Sequence, residues 1–496
     1  MKILLVYPKY PEMLWSFKYA LRFVGKKASL PPLGLLTVAA MLPAEWDKKA
    51  IDMNTDNLSD QDIKWADYVF ISALIVQKSS VREIIQRCKK IGRKIVAGGP
   101  FFTSNPEDFN DVDHLVLGEA EVTLPLFLQD LKQGFPKHIY RSDMRADIGK
   151  TPIPSWELIN VKKYDSLSIQ YSRGCPFNCD FCDVTSLFGK VPRTKNKEQI
   201  LQELNALYNI GWREKVFFVD DNLIGNKQEL KREILPSIIE WRREKKCPLL
   251  FATQASINLA DDEELMDSMA RAGFGNVFLG IETPNEDSLA ECGKLQNKNR
   301  DLTSCVKKIQ RKGMNVQGGF IVGFDSDGPS IFERQIKFIQ NSGIAIAMVG
   351  ILTPFKGTRL YNRLKKENRI LPRESSGDSS DGMLDFIPKM SKDELVAGYK
   401  KVVRTLYSPK HYCQRVINFL KEYQSCAEKK VQFHFYHLRI IFQSILVLGF
   451  NGMAGFYFWK LIFWTLFNRP GSFASALSLA IQGYHFRKVF ISKKIY

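Results

Sequence analysis

The sequence predicts an α/β chain in three parts, on three observations. Between residues 1 and 130 short apolar runs alternate with helical stretches, and from about 165 to 355 the alternation resumes at a longer period. After about residue 390 the strands give way to helical sequence that is apolar and basic. Short apolar strands separated by helices build parallel sheets covered on both faces. The expected fold is an N-terminal Rossmann-like domain, a partial (β/α)6 TIM-like barrel and an α-helical C-terminal extension. Expected boundaries are 1–135, 165–372 and 391–496, with linkers at 136–164 and 373–390, the second flexible. A length of 496 residues, 45% hydrophobic and 25% charged, is ample for cores of that size.

In the first unit the strands fall at Lys2–Tyr7, Lys49–Met53, Tyr68–Ser72, Lys94–Ala97 and His114–Leu117. Leu33–Leu42, Val81–Ile91 and Thr123–Leu131 read as helices between them. A parallel doubly wound sheet takes its ligand beyond the C-terminal strand ends. The loops there are small and polar: Ser72-Ala73-Leu74, Gly98-Gly99-Pro100 and Gly118-Glu119-Ala120-Glu121. Glycine pairs at such turns let a flat ligand come close to the backbone.

In the second unit the strands are Ser166–Ser172, Val216–Asp220, Leu250–Gln254, Val277–Ile281, Val316–Val322 and Ala345–Leu352. Helices fall at Lys197–Tyr208, Gln228–Arg243, Asp262–Ala272, Arg300–Lys312 and Ser330–Asn341. Barrels of this kind keep their chemistry at the C-terminal strand ends. Directly after the first strand comes Arg-Gly-Cys-Pro-Phe-Asn-Cys-Asp-Phe-Cys, with Cys175, Cys179 and Cys182. Three thiolates leave one position of a four-ligand site open. A zinc knuckle completed by a distant ligand is the alternative.

The C-x3-C-x2-C run resembles the cluster loop of the radical S-adenosylmethionine (SAM) enzymes. That resemblance implies a [4Fe-4S] cluster on the three cysteines, with SAM chelating the fourth iron. It also implies SAM contacts at Phe181, next to adenine, at Asp220 and Asp221, near the amino group, at Glu282, near the ribose, and at the adenine-proximal Gly318 and Gly319. The N-terminal loops resemble the cobalamin-binding domain that precedes many such cores. They imply cobalamin contacts at Ser72, Leu74, Gly98, Gly99, Gly118 and Glu119; a purely structural Rossmann-like domain is the other reading. Other cobalamin domains carry a D-x-H-x-x-G histidine beneath the cobalt, whereas this chain reads Pro8-Lys9-Tyr10-Pro11-Glu12 after its first strand, and His114 is its first histidine. A four-coordinate or water-capped cobalt is therefore expected.

Nine cysteines in so long a chain are too sparse for a disulfide scaffold, and a reducible cluster points to a reducing, cytoplasmic setting. Cys88, Cys247, Cys292, Cys305, Cys413 and Cys426 read as ordinary thiols. Residues 401–496 hold 14 Lys and Arg against Glu422 and Glu428, +12 of the total +18. Such a patch can meet nucleic acid, an anionic lipid or an acidic partner protein. Ile440–Trp459 runs 20 residues without charge, long enough to cross a bilayer, although Gln443, Ser444, Asn451 and three glycines weaken that reading. Interfacial contact through residues 431–496, which the clustered aromatics and basic flanks fit, stands beside a buried helical subdomain. The stretch Phe458-Trp459-Lys460 to Gly483-Tyr484-His485-Phe486-Arg487 resembles the C-terminal extension of a subgroup that includes hopanoid C-2 methylases.

Together these resemblances imply a cobalamin-dependent radical SAM methyltransferase acting at an unactivated carbon of a small molecule or lipid. They imply an electron donor such as flavodoxin or ferredoxin. The catalytic residues stay unassigned, and nucleic acid is not an expected partner. Cyclisation, rearrangement or oxidation on the same cofactors is the alternative, and a non-enzymatic cobalamin or redox sensor a further one. A tRNA methylthiotransferase would need a second three-cysteine cluster upstream, where this chain has only Cys88.

Overall fold

The computed structural model describes residues 1–247, 249–372, 375–424 and 435–495. Cys426 and residues 431–434 of the tail lie outside these. The first sheet contains β1 (Lys2–Tyr7), β2 (Asp47–Asp52), β3 (Tyr68–Ser72), β4 (Lys94–Gly98), β5 (His114–Val116) and β6 (Ile139–Tyr140). Its order is β2-β1-β3-β4-β5-β6, with every pair parallel. Both faces are covered: Leu4, Val6, Val69 and Ile71 enter one apolar cluster, while Ile3, Leu5, Phe70 and Val96 enter another. The alternation follows from the two-residue period of a strand. The order reverses between β1 and β3, where open α/β sheets bind ligands. β6 is a two-residue edge strand with no apolar run of its own to announce it.

The second sheet contains β7 (Ser166–Ile169), β10 (Lys215–Phe218), β11 (Leu250–Ala255), β12 (Phe274–Glu282), β13 (Asn315–Val322) and β14 (Ile346–Ile351). They run parallel in the order β14-β13-β12-β11-β10-β7, and β14 does not pair with β7, so the barrel stays open. The single strand expected at 166–172 is broken. β7 ends at Ile169, and β8 (Ser172–Arg173) pairs antiparallel with β9 (Arg193–Thr194), closing a hairpin around the cysteine loop.

The C-terminal helices Lys392–Tyr407, Pro409–Glu422 and Phe473–Ser492 share one continuous apolar core with the barrel. They also protect its exposed edge. Tyr407 Oη accepts from the Ala347 N–H at 3.2 Å and donates to the Ala347 carbonyl at 2.7 Å, satisfying backbone groups that an edge strand leaves free. Arg415, fully buried, donates to the carbonyls of Leu406 (2.8 Å) and Ala345 (3.2 Å) and lies over the rings of Tyr407 and Tyr412.

Two expectations change here. Ile440–Trp459 is not one helix: Phe435–Ser444 continues through a wider turn at Ile445–Gly449, and a new helix starts at Gly452, whose φ of +46° reverses the chain. Among the described residues no helix is long and apolar enough to cross a membrane. The described part of the second linker, residues 375–390, is packed rather than free. Tyr399 Oη donates to the Ser380 carbonyl at 2.9 Å, Ile351 N–H to the Ser379 carbonyl at 2.8 Å, and Lys493 pairs with Asp378. Ser and Asp side chains bonding their own turn give this polar run a defined shape.

Candidate functional site

A cavity of about 1000 Å³ lies between the two sheets. Its N-terminal wall is built from the strand-end loops after β1, β3, β4 and β5, including Tyr10, Ser72, Leu74, Gly98, Gly99, Gly118 and Glu119. Its opposite wall comes from the barrel, through Gln170, Arg173, Asp183, Asp221, Gln254 and Phe278. The cavity thus joins the switch point of one sheet to the strand ends of the other. All six residues expected to meet cobalamin line it. Gly99 and Gly118 have φ of +89° and +81°, where a side chain is strained. A Cβ on Gly99 would stand 2.7 Å from Ser72 Oγ, and one on Gly118 would meet nothing within 4 Å. No histidine is among the lining residues; His114 Nδ1 instead bonds the Lys137 carbonyl beside Phe127.

The cysteines sit on the loop between β8 and β9. Gly174, at φ +99°, starts it, and a Cβ there would press to 3.0 Å on the carbonyls of Gly189 and Val191. Cys175 N–H donates to Gly189 O at 3.3 Å, and Cys182 N–H to Cys179 O at 3.4 Å. Cys179 is buried, while Cys175 and Cys182 are partly so. Burial pushes all three thiols up, Cys182 to about 12, with the Lys294 ammonium pulling the other way. Free thiolates are disfavoured in such a pocket, whereas bound iron deprotonates a thiol outright. Among the described residues no three His, Cys, Asp or Glu converge on a single metal ion. In an iron–sulfur cluster each thiolate holds a separate iron, and three thiols on one loop fit that donor set.

Asp220 and Asp221 turn out to organise this loop. Fully buried Asp220 accepts the backbone N–H groups of Tyr171 (3.3 Å) and Ser172, and burial raises its carboxyl to about 7. Asp221 accepts the Gly174 N–H at 3.0 Å and also lines the cavity. Both acids hold the backbone that leads into Cys175; Asp221 lines the cavity, and Asp220 is not among its lining residues.

Glu282 ends β12 at a register shift, with φ +64°. Its Oε1 accepts from Lys294 Nζ at 2.9 Å, a buried pair. A Cβ on Gly280 would stand 2.5 Å from that carboxylate and 2.8 Å from Nζ, so the glycine makes room for the pair. Gln296 Nε2 reaches Cys179 Sγ at 4.0 Å. Gly318 and Gly319 admit aromatic rings: a Cβ on the first would meet Phe320 at 2.7 Å, and on the second Phe278 at 2.9 Å. Phe181 packs 6.2 Å from the Phe324 ring, outside the cavity lining.

Sequence reasoning missed the charges that join the two units. Glu119 accepts from Arg173 Nη1 at 2.8 Å and from Arg193 Nη1 and Nη2 at 2.8 and 2.9 Å. Glu121 accepts from Arg173 Nη2 at 2.9 Å. Arg173 and Arg193 are the paired residues of β8 and β9. The loop after β5 is therefore fastened to both strands carrying the cysteine loop. Bidentate guanidinium–carboxylate geometry is visible only once the chain is folded. Lys294 was missed for the same reason.

The B12 binding domain matches residues 26–128, the radical SAM superfamily residues 169–373, and a domain of unknown function (DUF4070) residues 358–494. An uncharacterized methyltransferase of Synechocystis sp. is 39% identical over 98% of this chain and 91% of its own length. The hopanoid C-2 methylase of Rhodopseudomonas palustris is 32% identical over 84% and 78%. In fold, the chain resembles the cobalamin-dependent radical enzyme OxsB, with a TM-score of 0.62 and 16% identity over 99% of this chain and 80% of that one. It also resembles the methyltransferase TsrM of Kitasatospora setae with cobalamin and a [4Fe-4S] cluster bound, with a TM-score of 0.60 and 14% identity over 90% and 98%.

Proposed function

The chain belongs to the cobalamin-dependent radical SAM family that includes the hopanoid C-2 methylase, and from that premise we propose that it methylates an unactivated carbon of an apolar small molecule or lipid. Membership carries the cofactors with it: a [4Fe-4S] cluster, SAM and cobalamin. It also carries the need for a reductant, for which a flavodoxin or ferredoxin is suited. One observation supports the reading most: a single cavity runs from the loops that would take cobalamin to Arg173, Asp183 and Asp221 beside the cysteine loop. Methyl transfer to a substrate carbon needs both cofactors to reach one enclosed space.

Cys175, Cys179 and Cys182 would hold the cluster, and Asp220 and Asp221 fix the backbone that presents them. Phe181, Glu282, Gly318 and Gly319, which lie beyond the residues lining the cavity, are proposed together with Asp220 and Asp221 as SAM contacts. Ser72, Leu74, Gly98, Gly99, Gly118 and Glu119 are proposed to take the corrin and its nucleotide tail. When bound, these groups supply a hydrogen-abstracting radical and a transferable methyl group, chemistry that side chains lack. The protein's share is placement and exclusion of water. Glu119 and Glu121, locked to Arg173 and Arg193, keep the two binding regions at a fixed separation.

Mass spectrometry of lipids and metabolites from a deletion strain and its parent tests the proposal. The parent should contain a compound heavier by one methyl substitution than one that accumulates in the deletion. A pair differing instead by ring closure or oxidation state would favour the alternative chemistry on the same cofactors.

A further inference from the structure

Most of the C-terminal extension is buried against the barrel, but one part of it is not. Phe442, Phe450, Met453, Phe456, Phe463 and Phe467 are 51% to 84% exposed. In the helix Gly452–Asn468 the exposed side chains Met453, Phe456, Lys460, Phe463 and Phe467 recur every three or four residues. That spacing defines one face. The opposite face, with Gly455, Phe458, Leu461, Ile462 and Thr465, is buried. Large aromatics in a continuous outward stripe are uncommon on a protein that meets only water.

Charge narrows what the stripe can meet. From residue 429 to 496 the sequence contains nine Lys or Arg and no Asp or Glu. Exposed Arg439 and Lys460 flank or interrupt the apolar stripe. An apolar face with basic residues and no acid suits a surface that is apolar beneath and anionic above. No described helix can span a bilayer, so the arrangement suits lying at its interface.

The stripe also has a physical link to the cavity. Phe435–Ser444 packs on Arg22–Val24, and Phe473–Ser492 packs on Leu14–Leu21. The stretch they grip supplies Met13, Trp15, Ser16 and Lys18 to the cavity wall. The Trp15 ring lies 5.1 Å from that of Phe278, tilted by 55°, on the barrel side of the same cavity.

We propose that the outward face of residues 438–469 docks on the surface of an anionic phospholipid bilayer and brings the cavity to an apolar substrate dissolved there. This deepens the functional reading above and rests on it for the substrate's nature. The docking itself requires no turnover.

The test is sedimentation of the full-length holoprotein with vesicles of phosphatidylglycerol and phosphatidylcholine, or of phosphatidylcholine alone. The protein should bind the anionic vesicles and weaken as salt shrinks the screening length from about 10 Å at 0.1 M to about 3 Å at 1 M. Combined Phe450→Ser, Phe456→Ser, Phe463→Ser and Phe467→Ser should cut binding by about tenfold or more, with cobalamin and cluster absorbance as checks on folding. Arg439→Gln with Lys460→Gln should remove part of the salt dependence. Absence of wild-type binding at low salt, or equal binding by the serine variant, would overturn the proposal. A wild-type dimer that the serine variant dissociates, without vesicle binding by either, would assign the face to a second copy and overturn it too. None of these readouts involves methyl transfer, so this proposal and the functional reading can fail separately.

Discussion

Lys294 sets the electrostatics around the three thiols. Its ammonium is buried, paired with Glu282, and acts on Cys175, Cys179 and Cys182 alike. Reduction adds negative charge to a cluster, and a neighbouring cation stabilises that charge. Lys294→Gln should therefore lower the midpoint potential by about 60 mV or more, roughly tenfold in a one-electron equilibrium. An EPR-monitored redox titration reads this, and an unchanged potential would place the ammonium outside the cluster's reach. The structure makes an equally local demand at Gly99, where φ is +89° and a Cβ would crowd Ser72 Oγ. Gly99→Trp should block cobalamin uptake while the iron and sulfide content stays at the wild-type level; full uptake would remove the β4 loop from the cobalamin site. The cysteine spacing, the glycines and the strand-end acids were all legible in the sequence. The bonds of Asp220 to Tyr171 and Ser172 were not, because acids after a strand look alike whether they face a ligand or the loop beside them.

Between elements, the docking of the helix Phe473–Ser492 turns on His485. Its Nδ1 accepts the Tyr19 N–H at 3.4 Å, and Nε2 then donates to the Leu14 carbonyl at 2.9 Å. Both nitrogens are committed to the neutral ring, and burial lowers the histidine from its ordinary 6.5 to about 4. The unfolded chain takes up a proton below 6.5 that the folded chain refuses until about 4. This contribution to stability is thus fully present above 6.5 and is lost as pH falls across that window. Thermal unfolding of the wild type should show the loss, and His485→Phe should remove that part of the pH dependence while lowering stability at neutral pH by about 1–3 kcal/mol through two stranded backbone groups. The Glu119 contacts bind the two sheets together. Glu119→Ala, which leaves guanidiniums of Arg173 and Arg193 short of a buried partner, should cost about 3–5 kcal/mol and weaken cobalamin retention, read by denaturation and by gel filtration of the loaded protein. Unchanged retention would make the contact dispensable for joining the two units. Element periodicity made the strands and helices readable to within a few residues. These pairings, 54 and 74 residues apart in sequence, left no local trace.

At the scale of the whole molecule the sequence conveyed the order of its parts better than their contacts. Buried parallel strands are rich in apolar residues and alternate with helices, so most strands of both sheets could be read from the sequence, while the short edge strand β6 could not. The tail could not, because burial against an edge strand and exposure to a lipid surface ask for similar residues. The structure divides the two uses between helices: Tyr407 and Arg415 close the β14 edge, while Phe456, Phe463 and Phe467 face outward. The proposed reaction requires the one cavity to serve both cofactors for methyl transfer. Its most direct test is an anaerobic incubation of reconstituted protein with methyl-deuterated SAM, a reductant and extract of a deletion strain, followed by quantification of both SAM-derived products. S-adenosylhomocysteine and 5′-deoxyadenosine should form together, deuterated methyl should appear in a new product, and Cys179→Ala should lose 5′-deoxyadenosine formation. Formation of 5′-deoxyadenosine without S-adenosylhomocysteine, or undiminished SAM cleavage by Cys179→Ala, would contradict the proposed reaction.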